Sequence, residues 1–210
     1  MYGPKIATSG PYPCLMRKDC IRLNEFARLE YRDPNEVLKN FRSLELRLMG
    51  IQTDEHVMRL RTGGLKSARE MRLAALFCAG MTSLAGIKIW FADVENQDFD
   101  FVTMWVSGDT QSFAPVQLKE VVPQDLNPNA SINDVFRSLR RYSDPSDLVV
   151  VVGLSQETRF DPATVDIPED LNLGELWIFG ALTPDHSKWG LWGDFTKGTV
   201  DRGHVFEYPT

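Results

Sequence analysis

"GIKIWFADVENQDFDFVTMWVSGDTQSFAPVQLKEVV", residues 86–122, decides how this chain is read. Three apolar stretches, GIKIWFADV, FDFVTMWV and APVQLKEVV, are separated by the polar runs Glu95-Asn96-Gln97-Asp98 and SGDTQS. β-Branched and aromatic residues suit a pleated, half-buried surface, so this spacing predicts a meander of three strands. Two of the strands carry groups that are costly to bury unless something pairs with them. Asp100 sits among Phe99, Phe101 and Val102; Gln117 and Lys119 sit among Val116, Leu118 and Val121. Strand residues two apart share a face, so Asp100 goes with Val102 and Met104, and Gln117 with Lys119. If the two strands pair, a carboxylate, an amide and an ammonium meet at one end of the sheet. Glu120 falls on the opposite face and is expected to point to solvent.

Before Gly86 the period is helical. Ile21, Phe26 and Leu29 give a partial apolar face to a helix from about Lys18 to Tyr31. Asp33 is placed to cap a second helix with Pro34 at its first position, Val37, Leu38, Phe41, Leu44 and Leu48 on its apolar face, and Gly50 at its end. Thr53 is placed to cap a short third helix. Ser67 opens a fourth, SAREMRLAALFCAG, in which Met71, Ala74, Ala75 and Cys78 recur at helical spacing. After the meander come a loop, PQDLNPNAS, and a helix, INDVFRSLRRY, capped by Ser131. DLVVVVGL is a continuous apolar run of the kind found in a strand covered on both faces. GELWIFGAL is another strand and GHVFEY a short last one. The fold class that follows is α/β: a mixed central sheet flanked by helices, ordered α-β-β-β-α-β-β after a helical N-terminal region.

The chain has 210 residues, 43% of them hydrophobic and 10% aromatic, which supports a substantial core. No apolar run reaches the length of a membrane span and the N-terminus has no signal-peptide pattern, so a cytoplasmic location without membrane contact is expected. Cys14, Cys20 and Cys78 show no paired metal spacing and read as thiols of a reducing compartment. The net charge is −6, but residues 1–80 hold 14 Lys and Arg against 9 Asp and Glu, and the remainder 9 against 20. A basic helical half could meet a polyanion, or could simply present solvated helix faces.

An acidic group and an amide oxygen are suitable ligands for Mg²⁺ or Mn²⁺. A nearby lysine can orient an attacking water or neutralise charge on a phosphate. Together Asp100, Gln117 and Lys119 make sense as machinery for phosphodiester hydrolysis. With the order helix, three-stranded meander, helix, strand, residues 67–155 resemble the restriction-endonuclease-like, or PD-(D/E)xK, nucleases. That family has an Asp in the second strand, here in DFDFV, and (E/Q)-x-K in the third, here VQLK.

The expected organisation is a helical N-terminal extension over residues 1–64, read from its period, and a nuclease-like α/β core over 65–210, within which the resemblance falls. It implies Asp100 and Gln117 as ligands of Mg²⁺ or Mn²⁺, Lys119 as the catalytic lysine, and Glu70, in the helix before the first strand, as a further catalytic and metal-binding carboxylate. The partner it implies is nucleic acid, DNA first, with the basic N-terminal region gripping it or forming a homodimer. This chain departs from the pattern in having no Pro before Asp100 and a neutral Gln where Glu is more common.

Other readings of these residues stay open. Asp98 shares a face with Asp100 and is its rival as ligand. Glu70 fits a capping box with Ser67 equally well. Arg137, Arg140 and Arg141 could contact a phosphate backbone or form the wet side of an amphipathic helix. Trp189 and Trp192, near Lys188 and Lys197, suit loop packing better than base stacking. His56, His186 and His204 lack metal-ligand spacing. RTGGLKSA lacks the preceding strand of a phosphate-binding loop. A non-catalytic nuclease-fold module for binding or assembly, and an unrelated α/β fold, are the competing expectations.

Overall fold

The computed structural model describes residues 17–49, 60–61, 63–94, 98–139, 147–156, 160–168, 170–198, 200 and 202–209. The N-terminal arm, the helix expected from Thr53, the turn at Glu95-Asn96-Gln97, His56, Arg140 and Arg141 lie outside them. The helices are α1 (Arg17–Phe26), α2 (Pro34–Met49), α3 (Lys66–Ala85) and α4 (Ile132–Leu139). The strands are β1 (Ile89–Asp93), β2 (Phe101–Ser107), β3 (Thr110–Val121), β4 (Val149–Leu154), β5 (Glu175–Ala181), β6 (Lys188–Trp192) and β7 (His204–Glu207).

The seven described strands join one sheet in the order of the sequence. β1, β2 and β3 run antiparallel; β3, β4 and β5 run parallel; β6 and β7 return to antiparallel pairing. Parallel neighbours need a long connection, and α4 lies in the one between β3 and β4. The protein is therefore a mixed α/β structure, as expected; the described residues form seven strands, one more than the six that the sequence pattern names. The added strand is β6, in the stretch expected to pack as a Trp-Gly loop.

Alternation sends the side chains to two separate cores. One face carries Phe91, Phe101, Val116, Val151 and Phe179 beneath α3, whose Leu73, Leu76, Phe77 and Met81 are buried on it. The other carries Val102, Phe113, Val121, Val150, Val152 and Ile178 beneath Phe26 of α1 and Phe136 and Leu139 of α4. Each such aromatic or leucine side chain contributes about 1.5–3 kcal/mol when fully buried.

The helix ends show why the segments start and stop where they do. Asp33 caps α2 through Oδ1, which accepts from the Asn35 N–H at 2.8 Å, and Pro34 follows. Ser131 caps α4, its Oγ accepting from the Asp134 N–H at 3.2 Å. Gly86 ends α3 in the left-handed region, φ 68°, and its N–H donates to the Thr82 carbonyl. α3 begins at Lys66, one residue before Ser67, and no side chain caps it.

Arg32 and Tyr208 help to tie the N-terminal helices to the sheet. Arg32 forms a two-way backbone bridge with Phe91, covering the β1 edge. Tyr208, buried, donates its hydroxyl to the Leu38 carbonyl of α2 at 3.1 Å, with Arg42 and Arg72 over its ring.

Candidate functional site

Asp100 immediately precedes β2, whose register with β3 ends at the pair Phe101 and Val116. The Asp100 N–H also donates to the Val116 carbonyl, at 2.9 Å, one residue off that register, so the backbone bulges there. The meeting with Gln117 is made by side chains. The Gln117 Nε2 donates to Asp100 Oδ2, and the Leu118 N–H donates to the same oxygen at 2.7 Å. Two N–H donors thus offset the desolvation of the half-buried carboxylate. Gln117 is only 6% exposed, while Asp100 and Lys119 are half-buried and Asp98 is exposed. Lys119, two residues along, shares the Gln117 face, which is that of Val121 and the second core.

Glu70 is not brought to this group by any hydrogen bond or ion pair described. It lies on α3, over the opposite face of the sheet, and its Oε1 is 3.5 Å from Lys66 Nζ. Ser67 makes no capping bond with it, because the helix starts one residue earlier. Arg137 is exposed and forms a 2.6 Å ion pair with Asp134 in its own helix.

Glu120 corrects the expectation that it points to solvent. It does project to the face opposite Lys119, but α3 covers that face and the Glu120 side chain is 13% exposed. Arg61 grips it as a fork, Nη2 on Oε1 and Nη1 on Oε2 at 3.1 Å. Arg69 Nε stands 3.5 Å from Oε2, and Ser155 Oγ donates to Oε1. Arg61, Arg69 and Ser155 had no signal in local sequence spacing. The signal for Glu120 was its alternation with Val116 and Leu118, which puts it on an apolar face.

The charge asymmetry has the same explanation. Basic residues of the first 80 pair with acids of the remainder: Arg22 with Asp147 at 2.9 Å, Arg32 with Asp93 at 2.6 Å, and Arg61 and Arg69 with Glu120. Trp189 is buried in the first core, and Trp192 packs edge-on against Phe160, ring centroids 4.8 Å apart; both are packing residues. His204 shares a 2.9 Å hydrogen bond with Ser83. Burial, with the Arg72 charge, holds His186 below its ordinary pKa. Cys78 is buried in the core, and burial pushes its thiol up.

The donor set suits a hard cation. Asp100 offers a carboxylate and Gln117 a carboxamide on one face, and oxygen donors are what Mg²⁺ and Mn²⁺ take. The carboxamide meets the carboxylate through its nitrogen; a half-turn about its last bond brings Oε1 there with no strand movement. Among the described residues no three His, Cys, Asp or Glu side chains gather as metal ligands, so solvent would complete the coordination.

Fold and site together define a mixed α/β protein with a carboxylate, a carboxamide and a lysine on one face of a β-hairpin end. Compared with protein-family models, curated proteins and solved structures, the chain matches none.

Proposed function

We propose that the protein is a metal-dependent nuclease that hydrolyses phosphodiester bonds in DNA, using Mg²⁺ or Mn²⁺ held by Asp100 and Gln117. The observation that carries this reading is the meeting of Asp100 with Gln117 across β2 and β3, with Lys119 on the same face. The order α3-β1-β2-β3-α4-β4, an antiparallel meander followed by a parallel strand, supports a restriction-endonuclease-like core. The cation, when bound, polarises a phosphoryl oxygen and lowers the pKa of its water. Asp100 and Gln117 supply oxygen ligands. Lys119 supplies an ammonium to orient the attacking water or to neutralise charge developing on the phosphate.

The test is cleavage of supercoiled, linear and branched DNA, with RNA in parallel, in Mg²⁺ or Mn²⁺. Wild type is expected to cut and Lys119→Ala to lose most activity; equal cutting by both removes Lys119 from the mechanism.

A second reading, a non-catalytic nuclease-fold module for binding or assembly, is favoured by the placement of Glu70 on the far face, paired with Lys66. The two separate on Mn²⁺ titration. A working site binds Mn²⁺ in a way that Asp100→Ala abolishes, whereas a module of the second kind is indifferent to the substitution.

A further inference from the structure

Glu120 follows Lys119 directly, and the short segment from Gln117 to Glu120 is held from both sides of the sheet. On one side Asp100 Oδ2 accepts from the Gln117 carboxamide and the Leu118 N–H. On the other, the Arg61 fork, Arg69 and Ser155 Oγ converge on the Glu120 carboxylate. Ser155 is also the next ladder residue of β4, its N–H donating to the Val121 carbonyl at 3.0 Å. The grip therefore ties the end of β3 both to its parallel neighbour and to the segment entering α3. A strand residue cannot turn without turning its neighbours, since the pleat alternates them. Fixing Glu120 thereby fixes the backbone from which Gln117 and Lys119 project.

We propose that Glu120 is a positioning residue, held by Arg61, Arg69 and Ser155 on one face of β3 so that Gln117 and Lys119 are presented in fixed geometry on the other. The proposal rests on the reading of Asp100, Gln117 and Lys119 as the working site. Glu120 touches neither substrate nor cation and acts only through the strand.

The experiment uses the full chain with Glu120→Gln, which keeps the volume and loses the charge, and the milder Ser155→Ala. The first readout is hydrogen exchange at the Leu118 amide, whose bond to Asp100 lies on the far side of the sheet. The second is steady-state DNA cleavage in Mn²⁺, split into kcat and KM. Glu120→Gln is expected to speed Leu118 exchange by at least about tenfold while Ile178, in mid-sheet, stays protected. It is expected to lower kcat about 10- to 100-fold, as loss of an outer-shell partner does, with KM within about twofold. Ser155→Ala shifts both in the same direction by less.

If Leu118 exchange is unchanged in folded Glu120→Gln and Ser155→Ala, the proposal is overturned. It is overturned equally if kcat is unchanged in an active protein. If wild type binds no Mn²⁺ and cuts no DNA, the nuclease reading has failed. In that case unchanged Leu118 exchange overturns the grip as well, and faster exchange leaves the grip standing as a structural one.

Discussion

β4 and the end of β3 are partners residue for residue, Val116 to Val149 through Val121 to Leu154, yet they hold their places by different means. Val149, Val150, Val151 and Val152 are buried on both faces and need nothing but neighbours. Opposite Val150, Val152 and Gly153 stand Gln117, Lys119 and Glu120, polar or charged groups in the same two layers. Gln117 and Glu120 are stabilised by named partners, Asp100 on one face and the two arginines on the other. An apolar strand tolerates small exchanges of shape; a polar one depends on every partner, because a lost one leaves a desolvated group behind.

The sharpest way to break the contrast is to put a charge where β4 has none. Val151→Asp is expected to cost more than about 4 kcal/mol and to leave no cooperative thermal transition at room temperature and above. Removing a partner from β3 comes next. Arg61→Ala leaves Glu120 with one arginine and should lower stability by about 2–4 kcal/mol, read from the urea midpoint. Asp100→Ala removes the acceptor shared by the Gln117 carboxamide and the Leu118 N–H, though the carboxamide keeps the Leu118 carbonyl at 3.3 Å; about 1–3 kcal/mol is expected by the same measurement, with faster exchange at Leu118.

Smaller effects sharpen the comparison at the surface. Asp33→Ala removes the α2 cap and should cost about 1 kcal/mol. Partial burial opposes ionisation of Asp33, but Lys88 and the Asn35 and Glu36 N–H groups outweigh it and hold its carboxyl below the usual range. Its contribution is complete above the unfolded carboxylate value and is lost as pH falls through the lower folded one. The gap in stability between wild type and Asp33→Ala should therefore close in acid, followed by circular dichroism. Lys66→Ala, which breaks the exposed pair with Glu70, should change stability by less than about 0.5 kcal/mol.

How far the molecule could be read in advance depended on whether the deciding contact was local. The Asp33 and Ser131 caps are bonds within two or three residues, and their letters announce them. The neighbourhood of Asp100 and Gln117 follows from the strand period and a hairpin that fixes register as far as Phe101; the last step is made by the Asp100 side chain. β6 has no alternating pattern to announce it, because Gly190 interrupts it. A Cβ there would sit 2.4 Å from the Trp192 ring, so the glycine marks close packing inside a strand. Glu120 was misjudged because its partner Arg61 lies 59 residues away. Its alternation with Val116 and Leu118 marks a covered face, but nothing near it in the chain names the arginines that meet it there. Glu70 shows the converse: a local capping pattern was legible, yet α3 began one residue sooner and the carboxylate turned to Lys66.

The hydroxyl of Tyr208 on the Leu38 carbonyl joins residues 170 positions apart. A ribosome delivers α2 long before it delivers the residue that fastens it. Until then the helix is kept in place by Arg32 at the sheet edge, by the pairs Asp33–Lys88 and Glu45–Arg72, and by its packing on α3.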